Sequence, residues 1–155
     1  MAFVVAGIAR AADEPKDLDK IPKPVMDSLK AKFPKAKIEK WTKEKENGKV
    51  IYDIEFKQEG RKAEADIAED GALQNFEREF DAKKLPRAVV EAVEKKYPKS
   101  TMKEVLECTE LKDKKEVHAG FEIVLETDAK KSVELTVAKD GKILEDSSAP
   151  KTEKK

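Results

Sequence analysis

The chain has 155 residues, with 33 Lys+Arg against 33 Asp+Glu, one cysteine (Cys108) and one histidine (His118). The charge balance excludes the basic excess of a nucleic-acid binder. A lone cysteine excludes an internal disulfide, and one cysteine with one histidine excludes a zinc site of the ordinary Cys/His kind.

Residues 1–18 differ in kind from the rest. The stretch "MAFVVAGIARAADEP" is small and apolar up to Ile8, then offers Ala9-Arg10-Ala11 before Ala12-Asp13. That pattern matches the end of a secretory signal peptide with an A-x-A cleavage site after Ala11. No basic segment precedes Phe3, so the stretch is expected to be a truncated leader or a frayed apolar tail. It is too short to span a bilayer. A periplasmic or secreted location is the expectation.

The first element is a helix. Ile21, Val25, Leu29 and Phe33 recur at intervals of four, which gives one apolar stripe with lysines opposite. Pro22 falls at the first turn, where a missing N–H costs nothing. Pro34 stops the helix, because the residue before a proline avoids the α region. Strands follow. The first is expected at about 36–45, and Asn47-Gly48 is a strong hairpin signal. Val50, Tyr52, Ile54 and Phe56 then alternate with polar residues, the period of a half-buried strand. Glu59-Gly60 turns the chain into Ala63, Ala65 and Ile67, and Asp70-Gly71 leads to a short fourth strand through Leu73.

The pattern then returns. Leu85, Val89, Val93 and Tyr97 lie 64 residues after Ile21, Val25, Leu29 and Phe33, and Pro86 and Pro98 match Pro22 and Pro34. "FEIVL" (121–125) matches "YDIEF" (52–56), and "AKDG" (138–141) matches "AEDG" (68–71). Val117, Ala119, Phe121, Ile123 and Leu125 are expected to form one inward row, continued by Val133, Leu135 and Val137. The chain is read as a tandem duplication, 19–80 and 81–146, followed by a disordered tail at 147–155. The expected class is α+β: two repeats, each one helix packed on an antiparallel meander of three to four strands, side by side.

These residues resemble a known family. "IPKPVMDSLKAKFPKAKIEKW" (21–41), then "YDIEF", then an Asp-Gly turn, is similar to the PepSY-like domain grouped with β-lactamase-inhibitor-like proteins. Both halves carry the opening, so the resemblance covers Ile21 to Asp146. It implies an exported bacterial protein with helix-on-sheet units and without catalytic residues, one that binds or inhibits another protein. Inhibition of β-lactamase itself is not carried over, because no inhibitory contact residue matches a position here.

The candidate binding face comes from strand register. If Glu59-Gly60 is a two-residue loop, Phe56 opposes Ala63 and Ile54 opposes Ala65 on the inward row. The same register sets Glu55 opposite Glu64 and Asp53 opposite Asp66 on the outward row. Like charges so placed cost a few tenths to about 1 kcal/mol per pair. Flanking lysines offset this in one reading, with Lys40 opposite Glu55. A cationic partner surface or a weak Ca²⁺ site offsets it in the other. In the second half Glu122 faces Thr136 and Val124 faces Glu134, so the patch is expected in the first half only.

Trp41 opposes Ile54 on the inward row and is read as core, with a partner anchor as the alternative. A bulge between Ile38 and Trp41 would turn both inward. His118 is read as an outward surface side chain and Cys108 as a part-buried, inert thiol. No Gly-rich phosphate loop, nucleophile elbow or metal constellation is present, so no enzyme, cofactor or metal is expected. The expected function is a non-enzymatic exported protein-binding module, an inhibitor or regulator. The alternative is a binder of small ligands or cations.

Overall fold

The computed structural model describes residues 17–148. The leader reading of the first sixteen residues, and the tail from residue 149 onward, lie outside the described residues. Helix α1 (Lys23–Lys32) is followed by β1 (Ala36–Glu46), β2 (Lys49–Gln58), β3 (Arg61–Ala68) and β4 (Leu73–Glu79). Helix α2 (Arg87–Lys96) leads into β5 (Thr101–Lys112), β6 (Lys115–Glu126), β7 (Ser132–Val137) and β8 (Ile143–Asp146).

The prolines act as expected. Pro22 and Pro86 occupy the N-caps of α1 and α2, and their carbonyls accept from Val25 and Met26, and from Val89 and Val90. At the other ends Phe33 and Tyr97 leave helical backbone at φ −128° and −129° while donating to Leu29 and Val93. Both thus stand outside the α region that the following proline disfavours.

The expectation of two helix-on-meander repeats lying side by side is corrected. All eight strands belong to one antiparallel sheet in the order β1 to β8, and the two short helices are minor elements of a mostly β structure. The reason lies in β4. It does not stop near Leu73 but runs to Glu79, and its far edge pairs with β5 from Asn75↔Glu110 to Glu79↔Leu106. An unpaired edge there would have left a row of backbone groups unsatisfied. Pairing with β5 removes that edge.

The hairpins follow their turn residues. Asn47-Gly48 and Glu59-Gly60 both have positive φ at consecutive positions, as two-residue hairpin loops require. Asp113-Lys114 makes the same kind of turn without a glycine, at φ 50° and 61°.

Two glycines do more than turn the chain. A Cβ on Gly71 would lie 2.7 Å from the Pro24 carbonyl oxygen, and one on Gly141 would lie 2.5 Å from that of Ala88. Each Asp-Gly turn thus tucks under the first turn of a helix, which only a bare Cα permits. Asp70 and Asp140 close these turns by accepting from the backbone N–H of Ala72 and Lys142.

Both helices lie on one face of the sheet. Val25, Leu29 and Phe33 pack with Ile54, Phe56 and Phe76, and the Phe33 and Phe56 rings are 4.8 Å apart. Val89 and Val93 pack with Ile123, Leu125 and Leu135. The expected bulge between Ile38 and Trp41 is present, and both residues pack against the first of these clusters. Trp41 stacks on Tyr52 at 6.0 Å.

The inward row of β6 needs a correction. The register skips Ala119, with Cys108↔Gly120 followed by Thr109↔His118. Phe121, Ile123 and Leu125 stay buried, but Val117 is turned out and is 39% exposed. His118 moves to the helix face, where its ring packs 5.0 Å from Phe121 and its Nε2 lies 3.5 Å from Glu107. Gly120 permits the irregularity: its φ is 139°, and a Cβ there would meet the Val137 carbonyl oxygen at 2.7 Å.

Candidate functional site

The face opposite the helices carries the polar chemistry. Asp53, Glu55, Glu64 and Asp66 are brought together there, with Asp53 opposite Asp66 and Glu55 opposite Glu64. Lys40 pairs with Glu55 at 2.9 Å. Lys62 lies 3.1 Å from Glu64 and 2.9 Å from Glu104 on β5. Asn75 of β4 donates to Asp66 at 2.9 Å. Flanking lysines therefore answer for the Glu55/Glu64 pair. They do not answer for Asp53, which has no ion pair among the described residues.

The β4–β5 joint extends this face well beyond the first half. Glu77 sits opposite Cys108, Glu122 opposite both Leu106 and Thr136, and Glu134 opposite Val124. Glu77, Glu122 and Thr136 are each only 6% exposed, and Leu106 and Cys108 are 1% and 2%. No described element covers this face.

The charges explain how it is shielded. Glu64 of β3 is the strongest charge acting on Glu134 of β7. Four strand spacings would separate them by about 19 Å in a flat sheet, beyond the range of ordinary screening. Glu64 and Glu134 therefore lie closer than a flat sheet would hold them.

The cost of that crowding shows in proton affinity. Burial, then Asp66 and Glu64, pushes the Asp53 carboxyl up to about 7. Burial raises Asp66 to about 6 against the lowering effect of its Asn75 hydrogen bond. Burial followed by Glu64 and Glu145 raises Glu134 to about 7. Glu64 is raised by burial despite Lys62. Glu77 and Glu122 are both raised, by burial first and then by neighbouring carboxylates. The Cys108 thiol is pushed far up by burial and by Glu77, which makes it a poor nucleophile. Burial opposes the Lys62 ammonium, but Glu104 and Glu64 outweigh it and hold that proton tightly.

The sequence alone located the Asp53–Asp66 end and missed Glu77, Glu122 and Glu134. The alternation Asn75, Glu77, Glu79 around Phe76 was the available signal. Among the described residues no group of three His, Cys, Asp or Glu side chains is arranged to hold a metal ion, so the calcium alternative gains no ligand set. A groove of about 420 Å³ opens where β4 meets β5, between Phe80, Met102, Val105 and Val124, with Glu104 already committed to Lys62. No described helix is long and apolar enough to cross a membrane.

One antiparallel sheet, helix-covered on one face and acidic on the other, defines the class: a mostly β protein built on a single eight-stranded sheet. The chain belongs to the β-lactamase-inhibitor-like, PepSY-like family, whose pattern matches residues 12–75 and again 50–145. A solved β-lactamase-inhibitor-protein-like protein from Bacteroides fragilis is 22% identical, with a TM-score of 0.55 over 81% of this chain and 84% of its own. A DUF2874 family protein from Bacteroides uniformis is 16% identical, with a TM-score of 0.60 over 81% and 87%. A protein from Bacteroides eggerthii, described as a proposed periplasmic protein, is 14% identical, with a TM-score of 0.59 over 81% and 86%. At these identities the likeness is one of fold. No curated protein matches the chain.

Proposed function

We propose that this chain is a non-catalytic, exported protein-binding module that recognises its partner through the open face of the sheet. One observation carries the reading. The middle of that face is lined by Glu77 and Glu122, each only 6% exposed and without an ion pair among the described residues, and the one thiol beside them, Cys108, is a poor nucleophile. General acid–base work needs a reacting atom within about 3 Å of a poised group, inside a cavity that excludes water. A broad sheet face suits a protein surface better than a small substrate. Inhibitor-like family membership supports the same reading, as do the A-x-A run at Ala9 to Ala11 and the description of the Bacteroides eggerthii neighbour.

The test uses the full chain immobilised and exposed to the envelope fraction of its source cell, beside a Thr136→Arg variant that blocks the middle of the face. The expected result is one partner, retained by the native chain and lost by the variant. A partner held equally by both, or none at all, overturns the proposal.

A further inference from the structure

We infer that the occupant of the open face is a basic protein segment whose lysine or arginine side chains seat among Glu77, Glu122 and Glu134. The inference rests on the reading of that face as a recognition surface and adds the chemistry of the partner.

The two lysines beside this face, Lys40 and Lys62, are already spoken for. Lys40 holds Glu55, and Lys62 holds Glu64 and Glu104. Among the described residues no ion pair reaches Asp53, Glu77, Glu122 or Glu134. Glu122 is the telling member. It is 6% exposed, it lies on the open face between Leu106 and Thr136, and no side-chain hydrogen bond reaches it among the described residues. An acid so placed is costly to ionise alone and becomes favourable once a cation is supplied.

Lys62 shows what such a cation looks like in this setting. Its ammonium bridges carboxylates of β3 and β5 within 3.1 Å, and its proton is held more tightly than usual. Leu106 and Val124 stand beside Glu122 and Glu134 on the same face. Aliphatic walls with a carboxylate floor match the methylene stem and charged tip of a lysine or arginine. The unpaired acids run from Asp53 on β2 to Glu134 on β7, a spread that calls for several cations on one backbone.

The test is calorimetric titration of the full chain with hexalysine, and with hexaglutamate, spermine and calcium chloride as comparators, at pH 7.5 in low and moderate salt. Hexalysine is expected to bind, and to bind at least about tenfold more weakly to Glu122→Gln and to Glu134→Gln. Gln is nearly isosteric and removes only the ionisable carboxyl, so both variants are expected to keep native circular dichroism. Glu94→Gln on α2 removes a carboxyl from the opposite face and is expected to leave binding unchanged. Equal binding to native chain and both sheet-face variants overturns the inference. So does hexaglutamate, spermine or calcium binding as tightly as hexalysine. A captured envelope partner lost on Thr136→Arg, but indifferent to Glu122→Gln, Glu134→Gln and salt, overturns the cationic partner while leaving the recognition face standing.

Discussion

Replacing Gly141 by alanine tests whether the Asp-Gly turns act as seats for the helices rather than as turns alone. Gly60 and Gly141 have nearly the same backbone, φ 82° and 88°, so an alanine at either pays a similar left-handed penalty of about 1–2 kcal/mol. The stiffening of the unfolded chain by the added methyl is also shared and cancels in the comparison. Only the surroundings differ. The space beside Gly60 is open, whereas a Cβ on Gly141 would sit 2.5 Å from the Ala88 carbonyl oxygen. That contact is with backbone at the start of α2, so the helix must lift or the turn must open, at a further cost of about 2 kcal/mol. For a chain of this size that excess corresponds to a Tm lower by about 4–8 °C. Thermal melts followed by circular dichroism on Gly60→Ala and Gly141→Ala read it directly. Equal melting temperatures for the two variants would refute the seating argument.

The remaining expectations concern the acidic face. Asp53, Asp66 and Glu134 are held near 7, 6 and 7 against ordinary values of 3.8, 3.8 and 4.5. The folded state therefore keeps protons that the unfolded chain has released, and stability is greatest below about pH 4 for these groups and fades as pH rises through 6 and 7. The unfolding free energy from urea melts should drop from pH 5 to pH 8, by on the order of 3 kcal/mol after solvent screening; a flat or rising trend would count against the crowding. Lys62→Met strips the cation from between Glu64 and Glu104 and should cost about 1–3 kcal/mol, with Glu64→Gln restoring part of it in a double-mutant cycle; strict additivity would show that the bridge is idle. Cys108 should resist a thiol reagent in the native state and react with one equivalent in urea; rapid native labelling would contradict its burial.

Local chemistry was legible and long-range pairing was not. The prolines at 22, 34, 86 and 98 mark the helix ends because proline acts on its own backbone and its neighbour's. The glycine turn at 59–60 sets the register that places Asp53 opposite Asp66, and the one at 47–48 sets β1 against β2, because loop length decides register in a hairpin. Alternation along a strand tells which residues share a face, but not which strand lies alongside. The β4–β5 pairing, and with it the company of Glu77 and Glu122, depends on contacts between segments that no local pattern joins. The turn at Asp113-Lys114 escaped notice because it uses positive φ without glycine. The slip at Ala119 escaped because a single skipped residue reverses alternation without changing composition.

The chain's charges sum to zero, yet they are sorted in space. Carboxyl groups outnumber Lys40 and Lys62 on the open side of the sheet, while on the other side the helices carry Lys23, Lys30, Lys32, Arg87, Lys95 and Lys96 against Asp27, Glu91 and Glu94, with Lys83 and Lys84 between them. Such a molecule has no monopole to draw a partner from afar but carries a dipole across its thickness. Within about a Debye length of a positively charged surface, some 8–10 Å in ordinary salt, that dipole exerts a torque rather than a pull. The protein would be turned sheet-first before the first contact forms.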